Sequence, residues 1–127
     1  MARVLIVDDD RELVKVWTIA IEAVGHQVAC AHDPAAGLQA ARAFRPDLVI
    51  LDYHMPGDTG AHLFESFRRN QETARTPVLF VSGSAKEERL LGEVAEAGLC
   101  RFLPKPFGID DLHRTLSEML GGSEIKD

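Results

Sequence analysis

The sequence predicts an α/β domain in which five buried parallel strands alternate with five amphipathic helices. A chain of 127 residues can form one compact domain whose core needs no disulfide or structural metal. Its 46% hydrophobic and 27% charged residues are typical of globular proteins. Short apolar runs alternate along the chain with stretches of helical periodicity. The net charge of −6 argues against direct binding to nucleic acid or to an anionic membrane.

Short apolar runs rich in valine, isoleucine and leucine predict the strands. The runs at residues 4–7, 48–51 and 78–81 are too short for a globular helix and are typical of strands buried on both faces. Weaker runs at residues 27–31 and 100–103 complete the set of five.

Helical spacing of apolar residues predicts a helix after each strand. The first helix ends at Gly25, which readily adopts the left-handed conformation. The second opens with the N-cap pair Asp33 and Pro34 and closes before Pro46. The first helix carries its pattern on Leu13, Trp17, Ala20, Ile21 and Val24.

The other three helices follow the third, fourth and fifth strands. Ser84 and Glu87 form a candidate capping box for the fourth helix, which runs to Gly98. Apolar positions mark the third helix at Leu63, Phe64 and Phe67, and the fifth at Ile109, Leu112, Leu116, Met119 and Leu120. This alternation implies a parallel sheet joined by right-handed crossovers, with helices on both faces.

The cysteines and most of the histidines do not form a recognisable metal or disulfide site. Cys30 and Cys100 lack zinc or disulfide spacing, so we expect small buried residues within strands. We expect surface or capping positions for the histidines His26, His32, His62 and His113. No stretch approaches the roughly 18 apolar residues of a membrane span, and no signal peptide is evident, so we expect a cytoplasmic protein.

Charged and polar residues follow the predicted strands, where open parallel sheets bind their ligands. They are Asp8, Asp9 and Asp10 after the first strand, Asp52 after the third, Ser82 after the fourth and Lys105 after the fifth. If the first and third strands are neighbours, their carboxylates converge, and two of them about 4 Å apart repel by about 4 kcal/mol at an effective dielectric of about 20. Either a carboxyl group protonates at a raised pKa or a hard divalent cation, most readily Mg²⁺, lies among the oxygens.

A magnesium ion beside a lysine and a hydroxyl is an arrangement suited to a phosphoryl group, whose oxygens need positive partners and a hydrogen-bond donor. The remaining acceptor is a carboxylate, which points to an aspartyl phosphate. Asp52 is the best candidate acceptor because it stands alone at the end of a buried strand.

Taken together, these motifs resemble the receiver domains of two-component response regulators over nearly the whole chain. The motifs are Asp8-Asp9, Asp52 with Met55-Pro56 and Gly60, Ser82-Gly83, and Lys105-Pro106-Phe107. The resemblance implies a flavodoxin-like, doubly wound (βα)₅ fold with strand order 2-1-3-4-5. It also implies a receiver domain over residues 1–121, with residues 122–127 as a flexible tail or the start of a linker.

The resemblance implies a role for each acidic residue. Asp52 would accept the phosphoryl group from a histidine kinase or phosphotransfer protein. Asp9 and Asp52 would bind Mg²⁺ directly with the backbone carbonyl of His54, and Asp8 would bind it through water. His54 and Ser84 match positions that tune the lifetime of the aspartyl phosphate.

The resemblance also implies a switch. The Ser82 hydroxyl and the Lys105 ammonium would bind phosphoryl oxygens, and Lys105-Pro106 would be a cis peptide. Ser82 would move toward the phosphoryl group while Phe102 turns inward to fill the vacated space. The change would be read on the surface of the fourth helix, fifth strand and fifth helix, through which a homodimer is also conceivable.

A receiver would be a signalling switch and not an enzyme, catalysing only its own phosphorylation and dephosphorylation. Its output partner or output domain stays open, as does whether the chain acts alone. A haloacid dehalogenase-type phosphatase is an alternative, although that family places a second Asp where this chain has His54 and no cap domain is evident. An FMN-binding flavodoxin is disfavoured because the loop after the first strand is acidic where a phosphate cradle needs free backbone N–H groups.

Overall fold

A five-stranded parallel sheet organises the computed structural model, which describes residues 2–55, 58–83 and 100–120. The strands are β1 (Arg3–Val7), β2 (Gln27–Ala31), β3 (Leu48–Asp52), β4 (Val78–Ser82) and β5 (Cys100–Pro104). They are hydrogen-bonded in the order β2-β1-β3-β4-β5, and every pair is parallel. The predicted flavodoxin-like order 2-1-3-4-5 is therefore confirmed.

Helices follow the strands as the alternating pattern predicted. They are α1 (Arg11–Glu22), α2 (Pro34–Phe44), α3 (Gly60–Arg69) and α4 (Ile109–Met119). The helix predicted over residues 84–98 and the predicted tail over residues 122–127 lie outside the described residues, so α4 is the fifth helix of the sequence prediction. Between β3 and α3, His54–Met55 pairs with Asp58–Thr59 in a short antiparallel ladder.

The first two helices begin where their capping residues predicted. The side chain of Asp10 accepts a hydrogen bond from the backbone N–H of Leu13 (3.1 Å), and Asp33 does the same for Ala36 (2.8 Å). These carboxylates satisfy N–H groups that have no partner within the helix. After α1, Gly25 adopts the predicted left-handed conformation with a φ of 97°.

The hydrophobic core lies on both faces of the sheet, because successive strand residues point to opposite sides. On one face, alternate residues of β1, β3 and β4 pack against α2 and α3; they include Leu5, Val7, Val49, Leu51 and Phe80. On the other face, the intervening residues, which include Val4, Ile6, Ile50 and Leu79, pack against α4 and against α1, whose Trp17 belongs to the same cluster. Trp17 is only 4% exposed, as its place on the apolar stripe of α1 predicted.

The prediction that both cysteines are small buried residues is wrong for Cys30. Both lie in strands, but Cys30 is exposed and Cys100 is half-buried, and both thiols are free. The reason is that β2 and β5 are the edges of the described sheet, where a strand has a neighbour on one side only. Burial of Cys100 still raises the pKa of its thiol to about 11.

None of the helices in the described part of the chain has the length and apolar composition that crossing a membrane requires.

Candidate functional site

The register of the sheet brings the acidic residues together at its carboxyl edge. Val7 pairs with Leu51 across β1 and β3, so Asp8 and Asp52 follow at the same level on adjacent strands. One carboxylate oxygen from each of Asp8, Asp9 and Asp52 lies within 4.8 Å of the other two. The convergence that the strand-end pattern predicted is present in the structure.

The backbone holds two of these carboxylates in place. Asp8 is 0% exposed, and its Oδ1 accepts a hydrogen bond from the N–H of Asp10 at 2.9 Å. Asp52 is 5% exposed, and its Oδ1 accepts one from the N–H of His54 at 3.2 Å. Asp9 is exposed. The cluster therefore combines two buried carboxylates with one that faces solvent.

Lys105 brings a positive charge to the buried carboxylates. Its Nζ lies 3.4 Å from Oδ2 of Asp8 and 3.5 Å from Oδ1 of Asp52. Its side chain is 26% exposed, and its backbone N–H donates to the carbonyl of Ser82 at 2.7 Å. The Lys105-Pro106 peptide is cis, as the resemblance implied.

Burial and mutual repulsion set the protonation of the carboxylates. Burial raises the pKa of Asp52 to about 6, with the charge of Asp8 as the next cause, while Lys105 acts to lower it. Burial also raises the pKa of Asp8. The hydrogen bond from the backbone of Asp10 and the charge of Lys105 act to lower it, but burial is the larger effect. One lysine therefore only partly offsets the cost of placing two carboxylates here, and a further cation would be favourable.

Two other residues of the predicted site lie on neighbouring strands. Ser82 ends β4, is 2% exposed, and follows Val81, which pairs with Asp52. Phe102 lies on β5, half-buried against the core face that contacts α2 and α3. Ser84, expected to tune the phosphoryl lifetime, lies outside the described residues.

Gly60, part of the sequence motif, now has a physical role. It is the first residue of α3, and its N–H donates to the carbonyl of Tyr53 at 2.7 Å. A Cβ at this position would lie 2.5 Å from the backbone oxygen of Asp52 and 3.0 Å from the Cα of Tyr53. Only glycine lets α3 approach the backbone of Asp52 this closely.

Sequence reasoning missed an aromatic contact beneath the lysine. The Nζ of Lys105 lies 5.7 Å from the ring centroid of Trp17, and that ring stacks on Phe107 with centroids 5.3 Å apart. The sequence predicted Trp17 as a core residue, which it is. Its contact with Lys105 joins residues far apart in the chain, and no local pattern indicates it.

Three of the histidines expected at the surface or at caps, His26, His32 and His113, are instead half-buried, and the Nδ1 of His26 accepts a hydrogen bond from the backbone N–H of Ala2 at 3.0 Å. The Nδ1 of His32 lies 3.0 Å from the carbonyl oxygen of Asp8, and the Nε2 of His113 lies 2.9 Å from that of Ala20. His32 directly follows β2, at the same edge of the sheet as the acidic residues. Because His32 follows a predicted strand, as the acidic residues do, its sequence position alone could have indicated that it lies near the site.

Comparison with known proteins agrees with this geometry. The sequence profile of the response regulator receiver domain matches residues 4–117. Protein PilH of Pseudomonas aeruginosa is 33% identical over 123 residues, which cover 96% of this chain and 100% of PilH. The DNA-binding dual master transcriptional regulator RpaA of Synechocystis is 31% identical over 113 residues, covering 88% of this chain and 46% of RpaA.

Solved structures of the same family are also similar. The chemotaxis response regulator CheY4 of Vibrio cholerae has a TM-score of 0.84 at 28% identity, with 94% of this chain and 98% of CheY4 covered. The receiver domain of the hybrid histidine kinase CckA has a TM-score of 0.76 at 28% identity, with 93% and 98% covered.

These relatives differ in length. The chain spans all of PilH but less than half of RpaA, so similar domains occur with and without further sequence attached. The family match favours the receiver prediction over the haloacid dehalogenase-type phosphatase considered from the sequence. The chain therefore belongs to the response regulator receiver domain family and is a receiver domain of two-component signalling.

Proposed function

We propose that Asp52 accepts a phosphoryl group from a histidine kinase or phosphotransfer protein in a reaction that requires Mg²⁺. The observation that carries this proposal is the convergence of Asp8, Asp9 and Asp52 within 4.8 Å, with the ammonium of Lys105 between the two buried carboxylates. A buried carboxylate flanked by a cation and by further oxygen ligands is suited to act as a phosphoryl acceptor.

The donor set supports magnesium as the cofactor. Mg²⁺ prefers hard oxygen ligands and commonly takes one or two carboxylates together with waters and phosphate oxygens. Asp9 and Asp52 would bind it directly with the backbone carbonyl of His54, and Asp8 would act through water. When bound, the ion supplies positive charge that offsets the phosphoryl oxygens. The raised pKa values of Asp8 and Asp52 support this assignment, because a cation favours their charged forms.

Asp52 is the nucleophile in this proposal. One of its carboxylate oxygens forms a bond to phosphorus, while the bond between phosphorus and the donor nitrogen breaks and its electron pair stays on that nitrogen. Without the metal the pKa of Asp52 is about 6, and bound Mg²⁺ would favour the charged, nucleophilic carboxylate. Lys105 then pairs with a phosphoryl oxygen, and the hydroxyl of Ser82 donates to another.

The phosphoryl group would act as a local change of charge that biases two states of the domain. Ser82 moves toward the added oxygens, and Phe102, half-buried on β5, turns inward. The responding surface would comprise β5, α4 and the helix expected from the sequence over residues 84–98, which lies outside the described residues, and an output partner or a second copy would bind there. His54 and Ser84 would tune the lifetime of the aspartyl phosphate.

The same proposal covers the role of the whole chain, its boundaries and its location. The chain acts as a signalling module and catalyses only its own phosphorylation and dephosphorylation. Residues 1–121 form the receiver, residues 122–127 form a tail or the start of a linker, and the protein works in the cytoplasm. It contacts neither nucleic acid nor membrane directly, consistent with its net charge of −6.

Intact mass after incubation with acetyl phosphate tests the proposal. Wild type with Mg²⁺ should gain the mass of one phosphoryl group, and the gain should disappear in EDTA and in Asp52→Asn. Glu65→Gln, which removes an exposed carboxylate from α3, is the matched control and should be phosphorylated like wild type. A gain of equal size in Asp52→Asn, or none in wild type with Mg²⁺, would contradict it.

A further inference from the structure

His32 contacts the acidic cluster from the adjacent edge strand. It directly follows β2, is half-buried, and its Nδ1 lies 3.0 Å from the carbonyl oxygen of Asp8. A carbonyl oxygen only accepts hydrogen bonds, so Nδ1 carries the proton and donates. The side chain thus adds a bond between β2 and β1 beyond the last paired residues of the two strands, Ala31 and Val7.

This bond joins three others that fix Asp8, one of which is the contact of its Oδ2 with the ammonium of Lys105 at 3.4 Å. The N–H of Asp8 donates to the carbonyl of Ala31 at 3.1 Å, its Oδ1 accepts from the N–H of Asp10 at 2.9 Å, and its carbonyl accepts from His32. Each bond constrains a different part of the residue. His32 and Lys105 are the two side chains that donate to Asp8, and of these His32 alone contacts its backbone carbonyl, so substitution of His32 removes that bond without altering the acidic residues or Lys105.

The carbonyl of Asp8 belongs to the peptide group that leads into Asp9. Because a peptide group is planar, fixing its oxygen also fixes the position of the Asp9 nitrogen and the direction in which that residue starts. Asp9 is exposed and lies between β1 and α1, so core packing does not place its carboxylate. Its geometry depends on the anchored peptide before it and on α1 after it.

We infer that His32 is a positioning residue for the magnesium site, acting through the Asp8 carbonyl to hold the Asp8-Asp9 peptide. This inference rests on the function proposed above. Groups that orient metal ligands without touching the metal commonly change metal affinity by about 10- to 100-fold when removed. Removing the His32 donor should therefore weaken magnesium binding even though all the carboxylates remain.

Calorimetric titration of the full chain with MgCl₂ measures this effect without relying on phosphorylation. We expect His32→Ala to raise the Kd for Mg²⁺ by about tenfold. His32→Asn should stay within about threefold of wild type, because its side-chain amide can place an N–H near the position of Nδ1. Recovery in the asparagine variant separates the donor's role from a general loss of packing.

His113→Ala is the matched control. It also removes a ring nitrogen that lies at hydrogen-bond distance from a backbone carbonyl, in this case that of Ala20. Ala20 lies ten residues beyond Asp10 along α1, about 15 Å away. We expect His113→Ala to lose stability to the same degree as His32→Ala, because each loses one hydrogen bond to a backbone carbonyl, while its Kd for Mg²⁺ stays unchanged.

The outcomes separate this inference from the function on which it rests. A wild-type Kd in His32→Ala would overturn the role of His32 and leave the magnesium site standing. Absence of Mg²⁺ binding by wild type would overturn the magnesium site and this inference with it. If His32→Ala fails to fold, nitrogen NMR of the wild-type ring still decides, because a neutral ring protonated on Nε2 alone would overturn the proposed hydrogen bond.

Discussion

Replacing Asp52 with asparagine should stabilise the metal-free protein, even though it removes the proposed phosphoryl acceptor. Burial and the charge of Asp8 raise the pKa of Asp52 from 3.8 to about 6. A difference of about two pKa units between the folded and unfolded states corresponds to about 3 kcal/mol at a pH above both values. Asparagine has nearly the same shape and no charge, so it avoids this cost.

The sign of the pH dependence follows from the same shift. A carboxyl group with a raised pKa holds its proton more tightly when the chain is folded, so its stabilisation is full below its ordinary pKa of 3.8 and is lost as the pH rises through about 6. Asp52→Asn should therefore match wild type near pH 4. It should exceed wild type by up to about 3 kcal/mol near pH 8, or about 10 °C in Tm for a domain of this size.

Urea unfolding in EDTA, followed by circular dichroism at both pH values, measures the difference. Glu65→Gln removes an exposed carboxylate from α3 and should change the free energy of unfolding by less than about 0.5 kcal/mol. The reasoning is refuted if Asp52→Asn is no more stable than wild type near pH 8, or if its advantage is the same near pH 4.

Three further predictions concern the same edge of the sheet. Gly60→Ala should destabilise the fold by about 1–3 kcal/mol and slow phosphorylation, because the new Cβ would lie 2.5 Å from the backbone oxygen of Asp52; Gly83→Ala, where a Cβ has open space, is the control for unfolding in urea. Mg²⁺ at about ten times its Kd should stabilise wild type by about 1.4 kcal/mol, and an equal rise in Tm for Asp9→Asn would count against that residue as a ligand. Because the ammonium of Lys105 lies 5.7 Å from the single tryptophan ring, Mg²⁺ with beryllofluoride should change tryptophan fluorescence, and the change should be absent in Lys105→Ala.

Hydrophobic patterning predicted the centre of the fold better than its edges. The central strands β1, β3 and β4 are nearly or fully buried, so continuous apolar runs mark them clearly. The edge strands β2 and β5 are only partly covered, so their sequences mix exposed and buried positions. That is why the burial of Cys30, on an edge, was predicted wrongly.

The candidate site could be predicted from sequence only where strand order determines it. Parallel strands bring their carboxyl ends to one edge, which is enough to place Asp8, Asp9 and Asp52 together. The contact of His32 with the Asp8 carbonyl depends on side-chain direction after an edge strand. The approach of Gly60 to the backbone of Asp52 depends on where α3 packs. Neither leaves a periodic signal in the sequence.

Chemical mapping of the phosphoryl group tests the central claim most directly. Borohydride reduces an aspartyl phosphate to homoserine, and peptide mass spectrometry locates the converted residue after incubation with acetyl phosphate and Mg²⁺. The account predicts homoserine at position 52 and at no other aspartate, with none formed in EDTA. Conversion of Asp8 or Asp9 with Asp52 intact, or phosphorylation that persists without Mg²⁺, would contradict it.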